Sequence, residues 1–167
     1  MKLIKQFNKF ILERKLKQYG IYDYIINDDG IVDVDGAVNL SDRELESIPF
    51  QFGKVTGNFQ VVNNKLISLK GSPYEVGGIF GCNENKLTSL EFSPTEVAGS
   101  FYCYRNKLTS LQFAPAEVGG LFNCSYNRLK NLDCATNIKN DLVCLGNMIN
   151  RFDSGFYGHV GGKIRFI

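Results

Sequence analysis

The sequence predicts a repeat solenoid, a coil of stacked parallel strands, on three observations: a period near 21 residues, glycine and asparagine held at fixed phases, and apolar residues alternating two apart. Taking the valine or isoleucine before each turn as origin, units begin at Val34, Val55, Val76, Val97, Val118, Ile138 and Val160, with steps of 21, 21, 21, 21, 20 and 22 residues. A unit this short buries too little alone. It must stack on its neighbours to have a core.

Within each unit, step two reads Gly36, Gly57, Gly78, Gly99, Gly120, Asn140 and Gly162, which predicts a tight turn needing positive φ. Step four reads Val38, Phe59, Phe80, Phe101, Phe122, Leu142 and Ile164. Step six reads Leu40, Val61, Cys82, Cys103, Cys124, Cys144 and Phe166. The alternation predicts a strand with one buried face. Step nine is Arg43, then Asn64, Asn85, Asn106, Asn127 and Asn147; step eleven runs from Leu45 through Leu66, Leu87, Leu108 and Leu129 to Ile149. Step fourteen continues from Ile48 through Leu69, Leu90, Leu111 and Leu132 to Phe152, before a return segment carrying Pro73, Pro94 and Pro115.

The pattern V-x-G-x-F-x-C-x-x-N-x-L-x-x-L resembles the leucine-rich repeat, with phenylalanine and cysteine in two leucine places and the asparagine retained. Its short period and return-arm proline are similar to the compact bacterial class. The wording "EVGG", an aromatic, a cysteine and "NKLTSL" looks most like small repeat proteins of tailed bacteriophages. The resemblance implies a parallel β-sheet on one face, an α/β horseshoe class with few or no convex helices, and a protein-binding sheet surface. Arg43 and Asn140 depart from the pattern at two phases.

The predicted organisation is an amphipathic capping helix over residues 1–20, a β-hairpin over 21–33, six repeat units over 34–159 and a capping strand over 160–167. Leu3, Phe7, Phe10, Ile11 and Leu16 fall at helical spacing, with six cations from Lys2 to Lys17 set against Glu13. The helix is expected to lid the first rung; membrane-surface, calmodulin-like and nucleic-acid roles are the alternatives. "NDDG" between apolar runs predicts the hairpin turn. The aspartates Asp28, Asp29, Asp33 and Asp35 lack the ligand order and terminal glutamate of a calcium loop.

The asparagine column is expected to be structural, because a buried amide with two donors and an acceptor can bond its own turn and an adjacent rung. The cysteines lie one per rung, not in the close pairs of a zinc site, and the sole histidine, His159, falls in the last unit. Cys82, Cys103, Cys124 and Cys144 therefore read as compact core residues. Cys134 shares step sixteen with Phe50, Phe92 and Phe113 and reads as core too. No catalytic, metal or cofactor site is expected.

A net charge of +2 does not favour nucleic acid, and no apolar run approaches a membrane span. The N-terminus does not read as a secretory signal, and five cysteines argue for reduced thiols, so a cytoplasmic monomer is expected. Function then falls to outward-facing letters that do not repeat. Tyrosine and arginine favour binding hot spots, which selects Tyr102, Tyr104, Arg105 and Tyr126, with Asn123 and Gln60 beside them. The expected function is a non-enzymatic protein-interaction module, phage-encoded and directed at a host or defence protein. A virion component and the recognition part of an effector enzyme are the alternatives.

Overall fold

The computed structural model describes residues 2–149 and 158–166, without the side chains of Lys2, Leu3 and Lys5; positions 150–157, including Phe152, lie outside the described residues. Among the described residues a single helix, α1 (Lys2–Gln18), is followed by an antiparallel hairpin, β1 (Tyr24–Ile26) with β2 (Val32–Val34). In the hairpin turn, Asn27 Oδ1 accepts the N–H groups of Asp29 and Ile31, and Gly30 supplies positive φ (80°). From β2 onward the chain coils into a parallel β-solenoid of about six turns.

Each rung contributes two very short strands, to two separate sheets. The residue at the unit origin and the one before it form one strand, as in Glu75–Val76 and Glu96–Val97, and these pair in register along the first sheet. Steps four and five form the other, as in Phe59–Gln60, Phe80–Gly81 and Phe101–Tyr102. The single sheet implied by the resemblance is thus two, because a bend at steps one and two redirects the chain between them.

The reason for glycine at step two also differs from the expectation. Only Gly36 has positive φ there (128°). A Cβ on Gly57 would stand 2.7 Å from the carbonyl carbon and oxygen of Gly36, and one on Gly99 would stand 2.7 Å from those of Gly78. The column is glycine because backbones touch, each N–H donating to the carbonyl below at 2.8–3.0 Å from Gly57 to Gly120. Asn140, with its side chain, makes the longest bond of this column at 3.3 Å.

The left-handed corner sits instead at step eight. Asp42, Asn63, Glu84, Arg105 and Tyr126 have φ between 50° and 58°, with Gly146 at 62°. Asparagine one residue later locks that corner. The Nδ2 of Asn85 donates to Val61 O (2.9 Å) on the rung below and to Cys82 O (3.1 Å) of its own turn, while its Oδ1 accepts Leu66 N–H (3.0 Å). The same bonds recur at Asn106 and Asn127, and Asn64 and Asn147 make close variants at the ends. Amide side chains replace sheet pairing where the chain bends.

Phe59, Phe80, Phe101 and Phe122 are wholly buried. The first three stack nearly parallel, with centroids 5.6 and 5.3 Å apart, and the last pair meets edge to face at 5.0 Å. Leucine columns at steps eleven and fourteen fill the opposite side of the core.

Step sixteen differs from the expectation. Phe50 is buried, but Phe92 and Phe113 are exposed at φ of 68° and 67°, with Gly71 at the same phase at 100°. A left-handed corner turns these side chains outward. Cys134, at the same phase, is half-buried and packs against the core as expected. The N-terminal helix likewise covers the coil only through its last turns. Leu16 is buried with Leu12 and Tyr19 against the core, whereas Ile4, Phe7, Phe10 and Ile11 are exposed. No described helix is long and apolar enough to cross a membrane.

Candidate functional site

The outward face of the second sheet carries the residues of steps five, seven and eight. On the central rung, Tyr102 at the end of its strand and Tyr104 two residues on meet at 6.4 Å with rings 78° apart. Arg105 follows on the left-handed corner, its guanidinium 5.8 Å from the ring centre of Tyr126, which occupies the same corner one rung on. The structure therefore brings four of the six sequence candidates into two adjacent contacts. Such a corner fixes its side chains by backbone geometry, at an intrinsic cost of roughly 1–2 kcal/mol per non-glycine residue. The asparagine bonds one residue later hold it there.

Gln60 lies on the same face two rungs away, and Gly81 occupies step five between it and Tyr102. A shallow hollow of about 390 Å³ lies on this face. It is lined by Asn39, Asp42, Gln60, Asn83, Tyr102 and Tyr104, among others. Asn123 is less available, because its Oδ1 accepts the N–H of Ser125 at 3.0 Å.

Step three shows a pattern beyond the single-rung period. Asn58 Oδ1 accepts Ile79 N–H (2.7 Å), Ser100 Oγ accepts Leu121 N–H (3.1 Å) and Asp141 Oδ1 accepts Lys163 N–H (2.8 Å). Polar and apolar side chains alternate rung by rung, each polar one tying the turn above it. These outward letters are committed to the scaffold. The signal that identifies them is the alternation of apolar and polar residues at step three from Ala37 to Asp141, which Lys163 ends.

The thiol column faces the interior. Cys82, Cys103 and Cys124 are wholly buried, and burial pushes each thiol far above its usual range. Burial also pushes Cys144 up to about 11. Protonated thiols are poor nucleophiles and poor metal ligands. Cys144 Sγ donates to Arg165 O at 3.2 Å, and Cys124 Sγ to Val143 O at 3.5 Å, so the thiols serve as weak inter-rung donors.

Asp33 Oδ1 accepts Lys54 N–H at 2.7 Å and Asp35 accepts the Thr56 hydroxyl at 2.8 Å, so both tie the hairpin to the next rung. Among the described residues no three His, Cys, Asp or Glu side chains converge on a point a metal could occupy. At the C-terminal end, Asp141 binds Arg165 Nη2 at 2.7 Å, and Glu75 meets Lys54 at 2.6 Å on the first sheet. No family, curated protein or solved structure matches this chain.

Proposed function

We propose that the chain is a non-enzymatic protein-binding module of leucine-rich repeat type, encoded by a tailed bacteriophage. It acts in the host cytoplasm, gripping a host or defence protein with the second sheet's outward face. The observation that carries this reading is the cluster of Tyr102, Tyr104, Arg105 and Tyr126 on adjacent rungs. Aromatic and guanidinium groups with low conformational freedom contribute most to interfaces. Here one rung's sheet pairing and one corner's hydrogen bonds organise them before any partner arrives. The residues that repeat are used by the scaffold, and these do not repeat.

The test compares the wild-type chain with a Tyr102→Ala, Tyr104→Ala, Arg105→Ala triple variant as bait in infected cells. The expected result is a protein recovered by the wild type and lost from the variant at unchanged thermal stability. Recovery of the same proteins by both would remove this face from the reading.

A further inference from the structure

The N-terminal helix carries two apolar stripes, and the coil uses one of them. At about 100° per residue, Leu12 and Leu16 fall on one side of the axis, where Leu16 is buried and Leu12 packs against the core. Ile4, Phe7, Phe10 and Ile11 fall on an arc centred roughly 150° away. They are 66%, 63%, 54% and 48% exposed, so this second arc faces away from the coil. Single exposed apolar residues are ordinary on a protein surface, but four on one arc of a two-turn segment form a patch that calls for a covering.

Charge indicates what covers it. The segment from Lys2 to Lys17 holds six cations and one acid, Glu13, while the remainder of the chain holds more acids than cations. Arg14, Lys15 and Lys17 are exposed and stand within about 90° of the centre of the arc, whereas Glu13 stands roughly 130° from it. Lys15 is turned to the coil, its Nζ donating to Pro49 O at 3.4 Å and lying 5.5 Å from the centre of the Phe50 ring. Arg14 and Lys17 make no ion pair among the described residues, and the Arg14 guanidinium lies 5.9 Å from the ring centre of Phe10 on the arc. Asp28 and Asp29 of the hairpin turn share a groove with Lys9 and Leu12, and so lie on the other side of the axis.

We infer that this helix anchors the protein peripherally to an anionic phospholipid bilayer, with Ile4, Phe7, Phe10 and Ile11 among the acyl chains and Arg14 and Lys17 at the phosphates. An interfacial helix draws both on apolar burial and on attraction to acidic headgroups. Long cationic side chains reach from an immersed face back to the headgroup level. The helix lies in the surface and does not cross it.

Other coverings fit less well. A second copy of the chain would bring two strongly cationic helices together. Four side chains of at most about 250 Å² each, exposed here by about half, fall short of the roughly 800 Å² per partner of a specific protein interface. A bilayer needs no matching pocket. The anchor is also separate from the proposed partner face, since it leaves Tyr102, Tyr104 and Arg105 unused.

The test is flotation of the purified full chain with vesicles of phosphatidylcholine, and with vesicles of equal parts phosphatidylcholine and phosphatidylglycerol. The expected result is binding to the anionic vesicles that weakens at high salt, and little binding to the neutral ones. Phe7→Ser with Ile11→Ser should weaken binding by more than about tenfold, because each buried methylene contributes roughly a fourfold partition. Arg14→Glu with Lys17→Glu should weaken it too, and both pairs should leave the melting temperature unchanged because all four positions are exposed. The Tyr102→Ala, Tyr104→Ala, Arg105→Ala variant should bind as wild type does, so a failed anchor and a failed partner face are told apart. The chain has no tryptophan. Phe7→Trp should therefore report immersion as a blue shift on anionic vesicles, and Met148→Trp, exposed on a distant rung, should report none. The inference is overturned if the wild type stays unbound, if it binds neutral and anionic vesicles equally, or if the Phe7→Ser, Ile11→Ser variant binds as well as wild type. Without vesicle binding, a dimer that this variant dissociates would assign the stripe to a second copy, and a cell protein lost from this variant would assign it to that protein; either overturns the anchor.

Discussion

Replacing Asn106 with alanine tests how the coil is held at its corners. Asn106 Nδ2 donates to Cys82 O at 3.0 Å and Cys103 O at 3.1 Å, and its Oδ1 accepts Leu87 N–H at 3.0 Å. The two carbonyls keep one amide donor each, from Asn85 and Asn127. Leu87 N–H is left with no acceptor inside the core. An orphaned buried N–H costs about 1–3 kcal/mol, and each lost carbonyl bond about 0.5–1.5 kcal/mol. The sum is about 2–6 kcal/mol, which at this chain length lowers the melting temperature by roughly 4–24 °C. Urea unfolding followed by circular dichroism gives the free energy, and hydrogen exchange at Leu87 reports the orphaned amide. Asn106→Asp keeps an acceptor for Leu87 but turns a carboxylate toward two carbonyls, so it should be no more stable than the alanine variant. The reasoning is refuted if Asn106→Ala unfolds within about 1 kcal/mol of wild type, a loss no larger than one ordinary hydrogen bond. Lys107→Ala, on the exposed neighbour, should stay within about 0.5 kcal/mol.

Gly99→Ala places a methyl group 2.7 Å from the Gly78 carbonyl. It should destabilise by about 3 kcal/mol or more, a backbone clash standing at the upper end of overpacking costs, as read by calorimetry; a neutral effect would show that the rungs separate freely. In the native protein, a bulky maleimide should label half-buried Cys134 first and leave Cys82, Cys103 and Cys124 protected until unfolding, as mass spectrometry can follow. Asp141 is held below its usual range, first by Lys163 N–H and then by Arg165. A depressed carboxylate stabilises the fold above its unfolded pKa of about 3.9 and loses that contribution as pH falls through the folded value. Exchange protection of the last rung should therefore weaken in acid, and Asp141→Asn should flatten that dependence.

The candidate site was partly legible in the letters. A residue that interrupts a column is visible without coordinates, which singles out Tyr102, Tyr104, Arg105 and Tyr126 from their repeated neighbours. That Arg105 and Tyr126 sit on a left-handed corner was not, since aspartate, asparagine, glutamate, arginine and tyrosine at step eight share no side-chain chemistry. Asn83 was equally hidden. Its letter looks like any exposed polar residue, yet packing on the sheet face leaves the residue only 4% exposed. The exposed Phe92 and Phe113 show the reverse case, where an apolar letter at a core-like phase is turned outward by backbone conformation.

By itself the sequence determined the period, the stacking and the inward columns, because a chain repeating every 21 residues can satisfy its apolar and amide groups only by placing like over like. Tertiary structure decided that each rung serves two sheets, that glycine at step two makes room for a neighbouring backbone, and that the helix covers the coil through its last turns alone. Those outcomes depend on distances between residues about 21 positions apart, and local propensity carries no measure of such distances.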